Sequence, residues 1–147
     1  MSNPTRFSEL EVTGATTLKG AATLEGALAV TGATTLTGIV TGPVRQPVQG
    51  LTATGAITIT SGLVTLAHNA TVIAATKAAP VAGDVIYIVN TSASGTAAHT
   101  VTLPTGVTWD GTNRVATLDA PGEAIAAIAV SAARFFVFAN VGTVAFS

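Results

Sequence analysis

Glycine recurs at every sixth position of one stretch of this chain, from Gly14 to Gly38. The heptapeptide Val-Thr-Gly-Ala-Thr-Thr-Leu also occurs twice, at 12–18 and 30–36, an offset of three hexads. Six residues is not a helical period. A chain that winds around a three-sided β-structure places one strand on each face and a glycine near each corner. The spacing therefore predicts a hexad-repeat β-helix or β-prism stalk over residues 9–41.

The residue types at each of the six positions of this repeat indicate which side chains face inward. Side chains alternate along a strand, so the positions two and four residues before each glycine share one face. These positions are mostly apolar, whereas the intervening ones carry Glu11, Lys19 and Glu25. The predicted core of the stalk is Leu10, Val12, Leu18, Leu24, Leu28, Val30, Leu36 and Val40.

Two arrangements fit the repeat, a single coiling chain and three chains that wind together. A single chain uses three hexads per turn, so residues 9–41 would complete fewer than two turns, short of the roughly three repeats that bury a continuous core. Three chains fill each level together and form a stalk about 25 Å long at about 4.8 Å between strands. We expect an intertwined homotrimer.

Composition indicates which partners to expect. Charged residues make up 9% of the chain, against roughly 25% in ordinary globular proteins, so apolar surface must be covered by protein. No apolar run approaches the about 18 residues that span a bilayer, and we expect no membrane partner. A net charge of −1 and scattered basic residues argue against nucleic acid. Residues 1–8 lack the apolar core of a signal peptide, so we expect synthesis in a host cytoplasm.

A neck and a head follow the repeat. Two prolines and two glycines fall within residues 42–50 and predict a connector. Residues 51–147 predict an all-β head of antiparallel strands, a β-sandwich or jelly roll. The candidate strands, bounded by glycine and proline turn signals, are 56–60, 63–66, 70–76, 84–90, 99–103, 114–118, 123–131, 134–140 and 143–147.

Residues suited to catalysis or metal binding are sparse. His68 and His99 lie in separate predicted strands or strand edges without a carboxylate at ligand spacing, which favours structural roles. The segment 110–113, Asp-Gly-Thr-Asn, has one aspartate, fewer than calcium loops use, and a hairpin turn explains it better. No serine lies in a nucleophile context, and the chain has no cysteine. We predict no enzyme, no metal and no cofactor.

The aromatic side chains allow two interpretations. A glycan platform could be formed by Trp109, Tyr87 and the cluster Phe135, Phe136 and Phe138, although aromatic residues on strands more often belong to a core or a subunit interface. Phe135 breaks the alternation set by Phe136 and Phe138. We therefore predict that Phe135 contacts another subunit of the trimer.

These residues resemble a known class of proteins. The phrase Val-Thr-Gly-Ala-Thr-Thr-Leu-Thr-Gly at 30–38 is similar to shaft repeats of trimeric bacteriophage fibres. The head segments 83–87, 120–123, 134–137 and 140–145 look like those of small phage virion proteins that decorate capsids. The resemblance implies a homotrimer, bound through a short N-terminal segment to the major capsid protein of a phage shell and projecting a β-rich head. It implies no catalytic residue.

Two functions remain open. The first is a decoration protein, either cement or head fibre, on the capsid surface of a virion. The second is a receptor-binding tail fibre or spike that recognises a host-surface glycan. The short stalk favours the first. Because the resemblance implies attachment through a short N-terminal segment, we expect residues 1–8 to anchor the protein to the shell, with Arg6 and Phe7 as its contacts.

Overall fold

The computed structural model describes Thr31 and residues 45–147. The chain divides into two compact units, Met1–Gly42 and Pro43–Ser147. The predicted stalk core from Leu10 to Val40, and the predicted anchors Arg6 and Phe7, lie outside the described residues.

The described residues of the second unit form two five-stranded sheets. The strands are β1 (Val48–Leu51), β2 (Gly55–Ile57), β3 (Gly62–Leu66), β4 (Ala74–Lys77), β5 (Val85–Asn90), β6 (His99–Thr102), β7 (Val115–Leu118), β8 (Ala124–Ser131), β9 (Arg134–Val141) and β10 (Ala145–Phe146). The first sheet has the order β1-β3-β5-β8-β9, and the second has the order β10-β7-β6-β4-β2.

The first six strands alternate between the two sheets. Each connection from β1 to β6 leaves one sheet and enters the other, so sheet neighbours are two strands apart in sequence. The chain therefore returns to each sheet in the same direction, and β1–β3, β3–β5, β2–β4 and β4–β6 pair in parallel. Strands β7 to β10 close the two sheets with antiparallel pairs.

This arrangement confirms an all-β fold and is consistent with a sandwich, but the expectation of antiparallel strands throughout is wrong. Hairpin loops join antiparallel neighbours of one sheet, whereas the loops of residues 52–98 cross from sheet to sheet. Strand β1 also includes residues 48–50, which were predicted to belong to the neck. The predicted strand 70–76 starts later, at Ala74, because the backbone N–H groups of Ala70 and Thr71 donate to His68 Nδ1.

The core lies between the sheets and draws side chains from both. Its largest fully buried members are Trp109, Phe135, Leu66, Ile73, Ile86, Ile88, Leu103, Leu118 and Ile125. The Trp109 and Phe135 rings stack with centroids 5.0 Å apart and planes at 29°. The indole N–H donates to the carbonyl of Val101 at 3.3 Å, which satisfies its one polar group.

The prediction that Phe135 contacts another subunit is wrong. Its exposed fraction is 0%, and it pairs with the buried Ala129 of β8. The predicted alternation is confirmed, because Phe135 and Phe136 face opposite sides of β9. The inward side is the one that holds Phe135, since it faces Trp109 across the core.

Candidate functional site

The outward side of the first sheet is apolar from edge to edge. Register places Val48, Leu63, Tyr87, Ala126 and Ala139 side by side across the five strands. The same register places Gly50, Thr65, Val89, Ala124 and Val141 in a second row.

A third, shorter row joins Val85, Ile128 and Phe136. A β-bulge lies opposite Ala126 and Ala127, and Phe138 follows the inward-facing Val137, so alternation turns Phe138 outward. We call these three rows together with Phe138 the outer face of the first sheet.

This outer face has large exposed side chains and no charge within its rows, and the charged Arg134, two residues before Phe136 in β9, borders it on the same outward side. Val48 is 66% exposed, Tyr87 42%, Phe136 52% and Phe138 51%. Its only polar side-chain groups are the hydroxyls of Thr65 and Tyr87. A contiguous exposed apolar surface of this kind marks an interaction site in soluble proteins.

The opposite side of the molecule offers an internal comparison. The outward positions of the second sheet fall in two rows, Ala56-Thr76-Thr102-Val115 and Ala74-Thr100-Thr117-Ala145. Half of these residues are threonines, and none is aromatic. These two rows of the second sheet thus combine threonine with alanine and valine and include no large exposed apolar side chain, whereas the rows of the first sheet include Val48, Tyr87 and Phe136.

The second conspicuous feature is a buried polar cluster next to an open depression. The depression has a volume of about 470 Å³ and is lined by Ala67, His68, Asn69, Ala70, Thr91, Ser92 and Ala93. Behind it, Ser92 Oγ lies 3.1 Å from Nε2 of the fully buried His99. A serine beside a histidine raises the question of a nucleophile and its base.

The hydrogen bonds of this pair have the wrong direction for that chemistry. The Ile73 N–H donates to His99 Nδ1 at 3.1 Å, so a neutral His99 carries its proton on Nε2 and donates to Ser92. The hydroxyl of Ser92 donates to the His68 carbonyl at 3.0 Å and accepts from the His68 N–H at 3.1 Å. Burial lowers the pKa of His99, which favours this neutral form. Through these hydrogen bonds, Ser92 and His99 connect the loop after β5 and the start of β6 to the loop before β4.

Glu123 has a comparable structural role. Its carboxylate accepts from the backbone N–H groups of Asp119 at 2.6 Å and Ala120 at 3.1 Å, and from the N–H and hydroxyl of Thr143 at 2.9 and 3.0 Å. Burial alone would raise the pKa of Glu123, but these donors outweigh it, so the pKa is lowered. The side chain ties the turn before β8 to the turn after β9.

Asp110 explains the Asp-Gly turn. The N–H groups of Thr112 and Asn113 donate to Oδ1 at 2.9 and 2.7 Å, and the Asn113 and Thr112 N–H groups lower the Asp110 pKa.

Residues 45–147 contain no group of three or more His, Asp or Glu side chains that could hold a metal ion. Within the same residues, no helix is long and apolar enough to cross a membrane.

The predicted site residues therefore divide into two groups. The anchor and stalk positions lie outside the described residues, and Phe135 lies in the core. The outer face of the first sheet was not predicted as a unit, although its sequence signal is present. Strands β5, β8 and β9 read VIYIVN, AIAAIAVS and RFFVFANV, with apolar residues on both sides, which is typical of strands covered on both faces.

Comparisons with models of protein families, with curated proteins and with solved structures find no match to this chain.

Proposed function

We propose that this chain is a structural protein of a bacteriophage virion, a homotrimer that decorates the capsid surface as a cement or head-fibre protein. The observation that carries the proposal is the juxtaposition of a six-residue glycine repeat at 9–41 with a β-sandwich. The repeat resembles phage fibre shafts and requires three chains to bury its core, and the apolar outer face of the first sheet also requires a protein partner.

The polar clusters of the head support a structural role. Ser92, His99 and Glu123 use their hydrogen-bonding groups on backbone and side chains of neighbouring loops. These contacts fix the loops at the ends of the sandwich. The Ser92 hydroxyl and both ring nitrogens of His99 therefore have hydrogen-bond partners within the head.

A decoration protein stabilises a capsid through linkage. A trimer that binds the assembled shell and not the free subunits shifts the equilibrium toward the shell by mass action. In this proposal residues 1–8 contact the major capsid protein, with Arg6 and Phe7 as anchors, and the head projects outward.

Capsids that lack this protein provide the test. Added trimer should bind mature capsids and raise their resistance to heat, because binding favours the assembled state. Deletion of residues 1–8, or the double change Arg6→Ala and Phe7→Ala, should abolish binding while light scattering still gives three chains. A deletion variant that binds as well as the full chain would show that the anchor lies elsewhere.

A receptor-binding fibre is the second candidate, favoured by the exposed rings of Tyr87, Phe136 and Phe138. Aromatic rings on an uncharged surface can stack against sugar rings. In that case the trimer should adsorb saturably to host cells and compete with infection, and it should not bind capsids. This result would replace the decoration proposal.

A further inference from the structure

We infer that the outer face of the first sheet is the surface through which three heads pack against one another, so that its occupants are two further copies of this chain. The inference rests on the proposed homotrimer. It goes beyond the homotrimer because it assigns a head surface to the assembly, separately from the predicted stalk.

The chemistry of the face fits contact between identical chains. Around a threefold axis, residues near the axis meet their own copies, so any charge there would face two like charges. The three rows contain only apolar residues apart from Thr65 and the Tyr87 hydroxyl. The two outward rows of the second sheet contain four threonines and no large exposed apolar side chain, so the large exposed apolar side chains are a feature of the first sheet.

The short connection between the predicted stalk and strand β1 favours other copies of this chain as the partners of the outer face. Val48 lies in the edge strand β1 of the first sheet, and residue 41 is the last residue of the predicted stalk. Residues 42–47 can span at most about 20 Å. A trimeric stalk would therefore hold three copies of β1 near one another and give the three outer faces a high effective concentration.

The absence of cysteine allows a direct test with single engineered cysteines in the full chain. Tyr87→Cys and Phe136→Cys report on the outer face of the first sheet. Thr100→Cys and Thr117→Cys are the matched controls on the outward side of the second sheet. Within one chain Tyr87 and Phe136 are exposed, whereas Thr100 and Thr117 are half-buried, so an uncovered first sheet should label at least as fast as the controls.

We expect the opposite order in the purified protein. A maleimide should modify the thiols at 87 and 136 at least about tenfold more slowly than those at 100 and 117, because an interface thiol reacts only when the contact opens. The difference should disappear in urea. Light scattering on each variant should give a mass of three chains.

Each other outcome overturns the inference in a different way. A three-chain mass with equally fast labelling would remove this face from the interface and leave the homotrimer intact. A one-chain mass would overturn the homotrimer and this inference together, and slow labelling in that case would indicate that the chain's own residues 1–44 cover the face. Protection that appears only after binding to capsids would identify the shell as the occupant.

A second pair of variants avoids cysteine chemistry. Phe136→Asp introduces a charge at a position that is 52% exposed in the single chain, so it should harm the isolated head little. In the trimer it should lower the thermal midpoint of the head more than Thr117→Asp does. Equal midpoints for the two variants would contradict the inference.

Discussion

At the scale of single residues, two adjacent phenylalanines of β9 have opposite surroundings. Phe135 is fully buried against Trp109, and Phe136 is 52% exposed. The sequence predicts that they face opposite sides, because side chains alternate along a strand. It does not predict which side is inside, since apolar residues occupy both sides of β9.

The first prediction concerns Phe135. We expect Phe135→Ala to lower the free energy of unfolding by about 3–5 kcal/mol, through lost burial and the cavity left beside Trp109. Val81→Ala, at a position 68% exposed, should change it by less than about 0.5 kcal/mol. Urea unfolding at one fixed protein concentration measures both. A Phe135→Ala protein of normal stability would contradict the position of Phe135 in the core.

The second prediction concerns pH and His99. Burial lowers the pKa of His99 below its ordinary value of 6.5, so the folded protein binds fewer protons than the unfolded chain in this range. The contribution of His99 to stability is therefore fully present above about pH 6.5 and is lost as the pH falls toward the folded pKa. Thermal midpoints should begin to fall below about pH 6.5. His99→Gln should remove this upper part of the decline.

The third prediction concerns Glu123 and a lower pH range. Its folded pKa lies below the ordinary value of 4.5, so its contribution is present above about pH 4.5 and is lost as the pH falls through the folded pKa. At neutral pH, Glu123→Gln should cost about 1–3 kcal/mol, because partly buried N–H donors lose a charged acceptor. The gap in thermal midpoint between wild type and this variant should narrow in acid. A gap independent of pH would show that the carboxylate charge contributes nothing.

At the scale of elements, the strands and turns were largely predictable. The six glycines in the turn signals that bound the predicted strands of the head, at 62, 83, 95, 106, 111 and 122, have a positive φ. Strand directions were not predictable, because direction depends on which sheet the chain enters after each turn. The signals at Ser61-Gly62 and Pro121-Gly122 are similar in sequence, yet the first precedes a strand in a parallel pair and the second a strand in an antiparallel pair.

The outer face of the first sheet was predictable only in part from the sequence. Apolar residues on both sides of β5, β8 and β9 indicate strands covered on both faces. The face becomes visible only when register aligns Tyr87 with Ala126 and Ile128 with Phe136. Pairing between strands separated by many residues is not encoded in any local pattern.

The fourth prediction uses two glycines with positive φ. A Cβ on Gly62 would overlap the carbonyl oxygen of Pro47, whereas a Cβ on Gly83 would meet nothing within 4 Å. Both alanine variants carry the conformational cost of roughly 1–2 kcal/mol. Only Gly62→Ala also separates β1 from β3, because the Pro47 carbonyl accepts from the Leu63 N–H at 2.9 Å.

We expect Gly62→Ala to cost more than about 4 kcal/mol, the range reached by substitutions with a steric cause. Gly83→Ala should stay near the conformational cost alone. Unfolding of both variants in denaturant measures the difference. Equal losses would mean that the Pro47–Leu63 contact does not hold the edge strand.

At the scale of the whole molecule, the proposed assembly rests on two sequence features, the low content of charged residues and the short hexad repeat. The described residues of the head form a hydrophobic core between the two sheets. The outer face of the first sheet lies outside that core, so the core does not account for its apolar side chains. For the predicted stalk, residues 9–41 would supply too few turns for a single-chain coil, which is why we propose that three chains form it.

The last prediction separates the two sides of the stalk repeat. Leu36→Asp introduces an unpaired charge at a predicted core position, whereas Thr35→Asp introduces the same charge one residue earlier, on the predicted outward side. Because a charge buried without a partner is very costly, we expect Leu36→Asp to abolish the three-chain mass in light scattering and Thr35→Asp to leave it unchanged. Leu18→Asp and Thr17→Asp repeat the comparison in the other copy of the heptapeptide. We expect the head to remain folded in all four variants, because the substitutions lie outside residues 45–147, whose buried side chains form a hydrophobic core, and circular dichroism with urea unfolding checks this. Equal masses for both members of each pair would contradict the assignment of the leucine positions to the inside of the stalk and the threonine positions to its outside.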